Sequence, residues 1–283
     1  MSVKKCIMPI AGKGTRFLPI TKVVSKEMLP IVNEPTILLQ VKECVKSGIE
    51  EIIFVVGNHN YELVKNLFTR NEELEEFLKG SEKLKLLDEL NEIIAKVKFH
   101  YVFQDESIRG TAGALYAAKD LISKDEYIAV MYGDDLFSKD TVALKQLIDA
   151  NEKYNSNIVG VGKVSKELVS NYGIIKYSKD NIVESIIEKP SIDEAPSFDA
   201  IKGRFIIHSS FFDQVLKGEK HDNNEYFLPD ILLSLNKEIR SVEINGTYFD
   251  IGSHLGYLEA NIAYAMDSKI KDPLKEYLNS IGV

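Results

Sequence analysis

From Lys5 to Gly162 the chain alternates between apolar, β-rich runs and helical patterns, and this alternation limits the fold more than any other feature. The strand-like runs are Lys5–Ile10, Glu51–Val56, Lys98–Phe103, Tyr127–Tyr132 and Asn157–Gly162. Helical periodicity falls between them at Thr36–Ser47, Tyr61–Phe68, Ala112–Leu121 and Thr141–Tyr154. Strands joined through helices can pair in parallel, and a parallel sheet must be covered on both faces. The expected class is α/β: a Rossmann-like, twisted, mixed but mostly parallel sheet with helices on both faces. Ligands of such sheets gather beyond the carboxyl ends of the strands.

After Gly162 the pattern loosens into hairpin-like β segments at Tyr172–Tyr177, Ile182–Glu188 and Gly203–Ile207. Helices are expected at Ser209–Leu216, Glu225–Leu235, Gly256–Met266 and Pro273–Asn279. Between Thr69 and Lys96 lies a charged stretch without a strand. Leu74, Phe77, Leu78 and Leu84, Leu87, Leu90, Ile94 keep helical spacing there, which predicts two amphipathic helices with a solvated charged face. No Pro/Ser/Gly-rich linker, repeat or low-complexity tract divides the chain, so residues 1–283 read as a single domain.

Hydrophobic content of 45% and charged content of 28% are those of an ordinary globular protein. The formal net charge of -8 argues against a nucleic-acid or membrane-surface binder, so an anionic ligand would have to meet a local basic pocket. No apolar stretch approaches the roughly 20 residues of a membrane span, and the opening apolar run is too short for a signal peptide. Cys6 and Cys44 fit neither a zinc site nor a disulfide framework and read as reduced, packed thiols. A cytoplasmic location is expected. His59, His100, His208, His221 and His254 show no ligand spacing and read as surface or structural residues. The five Arg stand against thirty Lys, and Arg16, Arg109 and Arg204 sit beside glycine-containing motifs.

The strand ending at Ile10 runs into Ala11-Gly12-Lys13-Gly14-Thr15-Arg16, and Lys26-Glu27-Met28-Leu29-Pro30 follows. Glycines let a backbone come close to a ligand, so that successive N–H groups face phosphate oxygens. Arg16, Lys22 and Lys26 add cations within a short span, and the local meaning is a polyphosphate site. A Walker loop is excluded because Lys13 is followed by Gly14. A dinucleotide fingerprint is excluded because Phe17 stands where a small residue is needed. Gly133-Asp134-Asp135 ends another apolar strand, where a carboxylate can close an Asx turn or hold a hard cation.

With its Gly-x-Gly-Thr-Arg and Lys-Glu-Met-Leu-Pro motifs, the chain resembles the sugar-phosphate nucleotidyltransferases, and among them the bacterial UTP–glucose-1-phosphate uridylyltransferases. The resemblance spans nearly the whole chain, including the insertion between Thr69 and Lys96. It implies a nucleotide-binding part over about 1–162 and a sugar-binding, C-terminal helical part over about 163–283. It implies Mg²⁺ held by Asp134 and by Asp250 of Tyr248-Phe249-Asp250-Ile251-Gly252. Arg16 and Lys26 would be catalytic, and Ala11, Gly12, Gly14, Thr15, Gln104 and Gly110 would bind the nucleotide, with Gln104 reading the base. Lys189 of Glu188-Lys189-Pro190 would meet the sugar phosphate, and Glu188, Gly173 and Glu225 the sugar. Ala200–Arg204 looks like the family's segment near the sugar.

The implied reaction takes UTP and glucose 1-phosphate to UDP-glucose and pyrophosphate, in a homo-oligomer (dimer or tetramer) paired through C-terminal helices. Such chemistry asks for no general base, because the attacking sugar phosphate is already an anion; it needs charge screening and in-line alignment. The chain departs from the family at Gly110-Thr111-Ala112-Gly113-Ala114, which is more like the guanylyl and adenylyl relatives, and at Ser25. A dTTP- or GTP-using nucleotidyltransferase, a metal-dependent glycosyltransferase and a non-catalytic sensor on the same fold are the alternatives.

Overall fold

In a computed structural model the structure describes residues 2–220 and 224–282. Its strands are β1 (Lys5–Pro9), β2 (Pro30–Ile31), β3 (Glu34–Pro35), β4 (Glu51–Val56), β5 (Lys98–Phe103), β6 (Tyr127–Met131), β7 (Asp135–Phe137), β8 (Asn157–Lys163), β9 (Gly173–Tyr177), β10 (Val183–Glu188), β11 (Asp199–His208), β12 (Ile239–Glu243) and β13 (Tyr248–Asp250). Its α-helices are α1 (Thr36–Lys46), α2 (Tyr61–Leu67), α3 (Glu72–Phe77), α4 (Leu84–Lys96), α5 (Gly110–Tyr116), α6 (Ala143–Tyr154), α7 (Leu228–Leu233), α8 (His254–Met266) and α9 (Lys271–Ser280). His221 lies outside the described residues.

A nine-stranded sheet runs in the order β10-β9-β11-β6-β1-β4-β5, with β8 on β11 and β12 on β8. Strands β6, β1, β4 and β5 are parallel neighbours, and β11 reverses direction against β6. Because β1 and β6 are adjacent and parallel, their carboxyl ends deliver the glycine loop and the Gly133-Asp134-Asp135 turn to the same edge. The small antiparallel pair β7–β13 then sets Asp250 opposite Asp135.

The parallel strands are buried on both faces, as their apolar sequence requires. Cys6, Met8 and Ile10 face α1 and α6 through Val41, Cys44, Leu144 and Leu147. Ile7, Ile53, Val55 and Val130 face α5 and α7 through Leu115, Leu228, Ile231 and Leu232. Cys6 and Cys44 are free and buried, as expected.

Three expectations change. Ser209–Leu216 is two 3-10 turns, Ser209–Phe211 and Val215–Lys217, rather than one helix. Helix α4 half-buries Leu90, Ile93 and Ile94 against the core, but in the short α3 Leu74 is 39% and Phe77 82% exposed. A helix of that length presents too little face to bury both. The sequence pattern does not show β2, β3, β7, β12 and β13, since short strands carry little periodicity.

The interior also holds charge. Arg204 is fully buried and donates to Glu43 from Nε at 3.2 Å and Nη2 at 2.9 Å, and to the Asp135 carbonyl at 3.1 Å. Glu43 in turn accepts the Leu144 N–H at 2.8 Å, which satisfies an amide in the first turn of α6. Within the Ala200–Arg204 segment, which the resemblance sets near the sugar, the Arg204 side chain itself turns into the protein interior as a strut. Removing one partner strands the other as an uncompensated buried charge. Glu43→Ala should therefore cost about 3–5 kcal/mol in urea unfolding, and a loss below about 1 kcal/mol would show the pair to be inert.

Glu27 is 1% exposed and neither carboxylate oxygen has a hydrogen-bond partner. Burial pushes its carboxyl from 4.5 up to about 7, although Lys26 pulls the other way. Protonation is favoured in the folded state, so stability is full below pH 4.5 and falls as pH rises towards 7. At about 1.4 kcal/mol for each tenfold change in protonation, the loss approaches about 3 kcal/mol. Glu27→Gln should track wild type near pH 4 and exceed it increasingly from pH 4.5 to 7 in denaturation curves. Parallel curves would mean that Glu27 ionises as in solvent.

Candidate active site

The loop after β1 is anchored before it turns. Ile10 N–H bonds the Val55 carbonyl at 2.9 Å, and the Asn60 amide donates to the Ile10 carbonyl at 2.6 Å. Gly14 then takes φ +60°, and the Thr15–Phe17 turn follows. A Cβ on Gly14 would lie 3.0 Å from Lys26 Cβ, and one on Gly12 3.9 Å from Lys26 Nζ. Glycine therefore lets the loop ride directly over the Lys26 side chain. Ala11 is half-buried, while Gly12, Thr15 and Arg16 are exposed at the loop's mouth.

Lys26 Nζ sits 3.0 Å from Asp134 Oδ2. Burial alone would lower the Lys26 ammonium, but Asp134 and Glu27 outweigh it and hold the pKa above the usual lysine value. Burial would likewise raise Asp134, yet Lys26 wins and keeps that carboxylate below its usual range. Asp250 differs: burial and the charge of Asp134 push it up, against the Gly252 N–H and Arg16. Arg16 reaches this edge by donating from Nη1 to the Gly252 carbonyl at 3.3 Å.

Asp134 and Asp250 converge. A Cβ on Gly252 would stand 3.1 Å from Asp250 Oδ1 and 3.2 Å from Asp134 Oδ2. The Ile251 N–H bonds the Asp134 carbonyl at 3.0 Å, which locks the two segments together. Among the described residues no group of three or more His, Cys, Asp or Glu could hold a metal ion. Two carboxylates beside a glycine loop still suit Mg²⁺, which keeps waters and shares ligands with phosphates.

Asp135 plays another part. Its carboxylate accepts the Tyr248 hydroxyl, and burial followed by the Asp134 charge pushes it up to about 7. A Cβ on Gly203 would collide with it. Lys202 lies nearby, 3% exposed, with Nζ 4.1 Å from the Tyr172 ring centre and 4.0 Å from that of Tyr248. Burial lowers its ammonium to about 8 in spite of Asp135 and Asp250. Neither Asp135 nor Lys202 was singled out from sequence as a site residue.

The expected sugar residues form a second group. Gly173 pairs with Glu188 across β9 and β10, and a Cβ there would be 3.1 Å from Glu188 Oε2. Lys189 takes φ +48° and donates its N–H to the Tyr172 carbonyl at 3.0 Å. Its side chain is exposed, with Nζ 3.6 Å from Glu188 Oε1. The structure brings this lysine to Glu188, but no contact joins it to Asp134 or Asp250.

A third group gathers around Gly110, whose φ of +88° presses it against the Tyr226 backbone. Glu225 bridges to Arg109, Nη2 3.7 Å from Oε1, and Thr111 Oγ1 accepts the Leu228 N–H at 2.9 Å. Ala112 and Gly113 are buried, Gly113 against Ile108, so their small size serves packing rather than an open space around a base. Gln104 is half-buried just beyond β5, its N–H on the Val56 carbonyl at 3.0 Å. Tyr132 lies among the three groups: burial raises its hydroxyl, Thr111 opposes this, and the charges of Asp135, Glu188 and Asp134 add to it.

A family model described as Nucleotidyl transferase matches residues 5–267. UTP–glucose-1-phosphate uridylyltransferase 2 of Staphylococcus saprophyticus is 36% identical over 286 residues, covering 99% of this chain and 98% of its own. A crystal structure of UDP-glucose pyrophosphorylase complexed with UDP-glucose superposes with a TM-score of 0.81 at 34% identity, over 94% of this chain and 100% of that one. A UTP-bound UGPase from Acinetobacter baumannii gives a TM-score of 0.87 at 30% identity, over 98% of each chain. The glycine loop over Lys26, the converging carboxylates and this end-to-end similarity lead to one conclusion: the chain belongs to the nucleotidyl transferase family.

Proposed function

We propose that this chain transfers the uridylyl group of UTP to α-D-glucose 1-phosphate. An oxygen of the sugar phosphate bonds to the α-phosphorus, the bond to the bridging oxygen of the β-phosphate breaks, and pyrophosphate leaves with that electron pair. The observation that carries this reading is the convergence of Asp134 and Asp250 beside a cation held under a glycine loop. The substrates are those in the names of the similar proteins, a uridylyltransferase, a UDP-glucose complex and a UTP complex.

Backbone N–H groups of Ala11, Gly12, Gly14 and Thr15 cradle the nucleotide phosphates, and Gln104 with Gly110 faces the base. Arg16 and Lys26 supply positive charge to the reacting phosphorus and the departing pyrophosphate, the step at which a well-placed charge acts most strongly. Glu188 and Glu225 accept hydroxyls of the glucose beside Gly173, and Lys189 swings its exposed ammonium to the sugar phosphate. Asp134 and Asp250 would hold Mg²⁺, which when bound screens the α-phosphate charge. Residues 1–162 serve the nucleotide and 163–283 the sugar, within one domain.

We read the protein as cytoplasmic and homo-oligomeric. The two free cysteines fit a reducing compartment. Leu255, Leu258 and Ile262 on α8 and Tyr277 on α9 are exposed, which suits pairing through the C-terminal helices. No helix among the described residues is long and apolar enough to cross a membrane.

A pyrophosphate-release panel of UTP, dTTP, GTP and ATP against glucose, galactose, mannose and N-acetylglucosamine 1-phosphates tests the reading. UTP with glucose 1-phosphate should give the highest kcat/KM. dTTP should trail by the worth of one methyl group, about 1–3 kcal/mol. The Gly110–Ala114 segment favours a second reading, and GTP outperforming UTP would move the chain to a guanylyl specificity. A nucleotide-sugar donor consumed without pyrophosphate would mark a glycosyltransferase instead.

Asp134→Asn and Asp250→Asn should each raise the Mg²⁺ needed for half-maximal rate, because Mg²⁺ surrenders its waters reluctantly and has few protein ligands here. An unaltered Mg²⁺ titration in either variant would remove that residue from the metal site.

A further inference from the structure

Strand β11 breaks its register between Ile201 and Phe205, where Gly203 takes φ +56°. A bulge of this kind re-aims side chains. It sends Lys202 beneath the site, where a Cβ on Gly162 would lie only 3.2 Å from Lys202 Cε. The ammonium ends between the faces of Tyr172 and Tyr248, whose ring centres are 6.5 Å apart. Aromatic faces attract a cation but leave its N–H donors unused. Lys202 makes no hydrogen bond or ion pair with any described residue, and its Nζ is not sealed from solvent.

The two tyrosines also fix where that cation stands. Tyr248 is two residues before Asp250 in β13, and Tyr172 is adjacent to Gly173, with its carbonyl holding Lys189. Lys202 therefore occupies the boundary between the paired carboxylates and the sugar group. Burial lowers its ammonium to about 8, and Asp135 and Asp250 act against that in favour of the charged form. A phosphate monoester carries nearly two negative charges at neutral pH and can take charge-assisted hydrogen bonds from more than one cation. Lys189, exposed and 3.6 Å from Glu188 Oε1, is the lysine that the proposed function already gives to the sugar phosphate.

We propose that Lys202 is a second phosphate-binding residue for the sugar 1-phosphate, gripping it as it approaches the Asp134–Asp250 pair. This rests on the uridylyltransferase reading. The aromatic cage holds the ammonium in one place while leaving its donors for the ligand, so the site discriminates by the position of the phosphate.

Lys202→Met keeps the stem and removes the charge. In steady-state assays with Mg²⁺, KM for glucose 1-phosphate should rise about tenfold or more, the scale of one charge-assisted hydrogen bond, while KM for UTP stays near wild type. Lys202→Arg, charged but too broad for the cage, should fall between. A glucose 1-phosphate KM unchanged in Lys202→Met, or equal losses for both substrates, would overturn the assignment. Should Lys202→Met fail to fold, competitive acetylation of wild type read by mass spectrometry replaces it. Glucose 1-phosphate should protect Lys202 and UTP should not; absence of protection overturns the proposal. Wild type that releases no pyrophosphate from UTP and glucose 1-phosphate would defeat the broader reading, and the labelling experiment would still decide Lys202 on its own.

Discussion

The buried pair of Glu43 and Arg204 is the constraint on which the rest of the site depends. One carboxylate joins α1 to β11 and to the start of α6, while the guanidinium reaches on to the Asp135 carbonyl. Gln40, one turn earlier on α1, adds amide bonds to the Tyr132 and Asp135 carbonyls at 3.0 and 3.2 Å. A turn between two strands would otherwise be free to shift. Here its carbonyls are fixed from below by a helix face, and Asp134 is aimed upward at Lys26. Charges this deep are costly to desolvate, so their value lies in position more than in stability.

Above that strut, cations and carboxylates alternate, and their order decides which effect wins at each. Lys26 and Asp134 touch, so attraction overcomes burial for both. Asp250 and Asp135 lack so close a cation, so burial and like charge dominate and both are pushed up. An arrangement of that kind stores repulsion between Asp134 and Asp250, which a bound divalent cation would relieve.

The glycine positions divide by what they permit. Gly14 needs a left-handed backbone over Lys26, and Gly203 must leave space for the Asp135 carboxylate while breaking a strand. The first was legible as part of a phosphate loop. The second was read only as a neighbour of the sugar, because its effect is felt by Asp135, which is remote in sequence.

Sequence by itself determined the strands β1, β4, β5, β6 and β8, the helices between them and the glycine loop at a strand end. Each follows from local period and composition, since strands buried on both faces must be apolar throughout and helices must repeat their apolar face. It also placed Asp134, because the turn follows directly from a strand. The tertiary structure supplied the means by which Asp250, paired with Asp134 only by resemblance, converges on it: a three-residue pairing of β7 with β13 too short to leave a periodic signal. It alone turned Arg204 inward to Glu43 and set Lys202 between two tyrosines, because a charged residue's surroundings come from segments distant in the chain. Periodicity reports how a residue faces its own element; only packing reports which charges that face will meet.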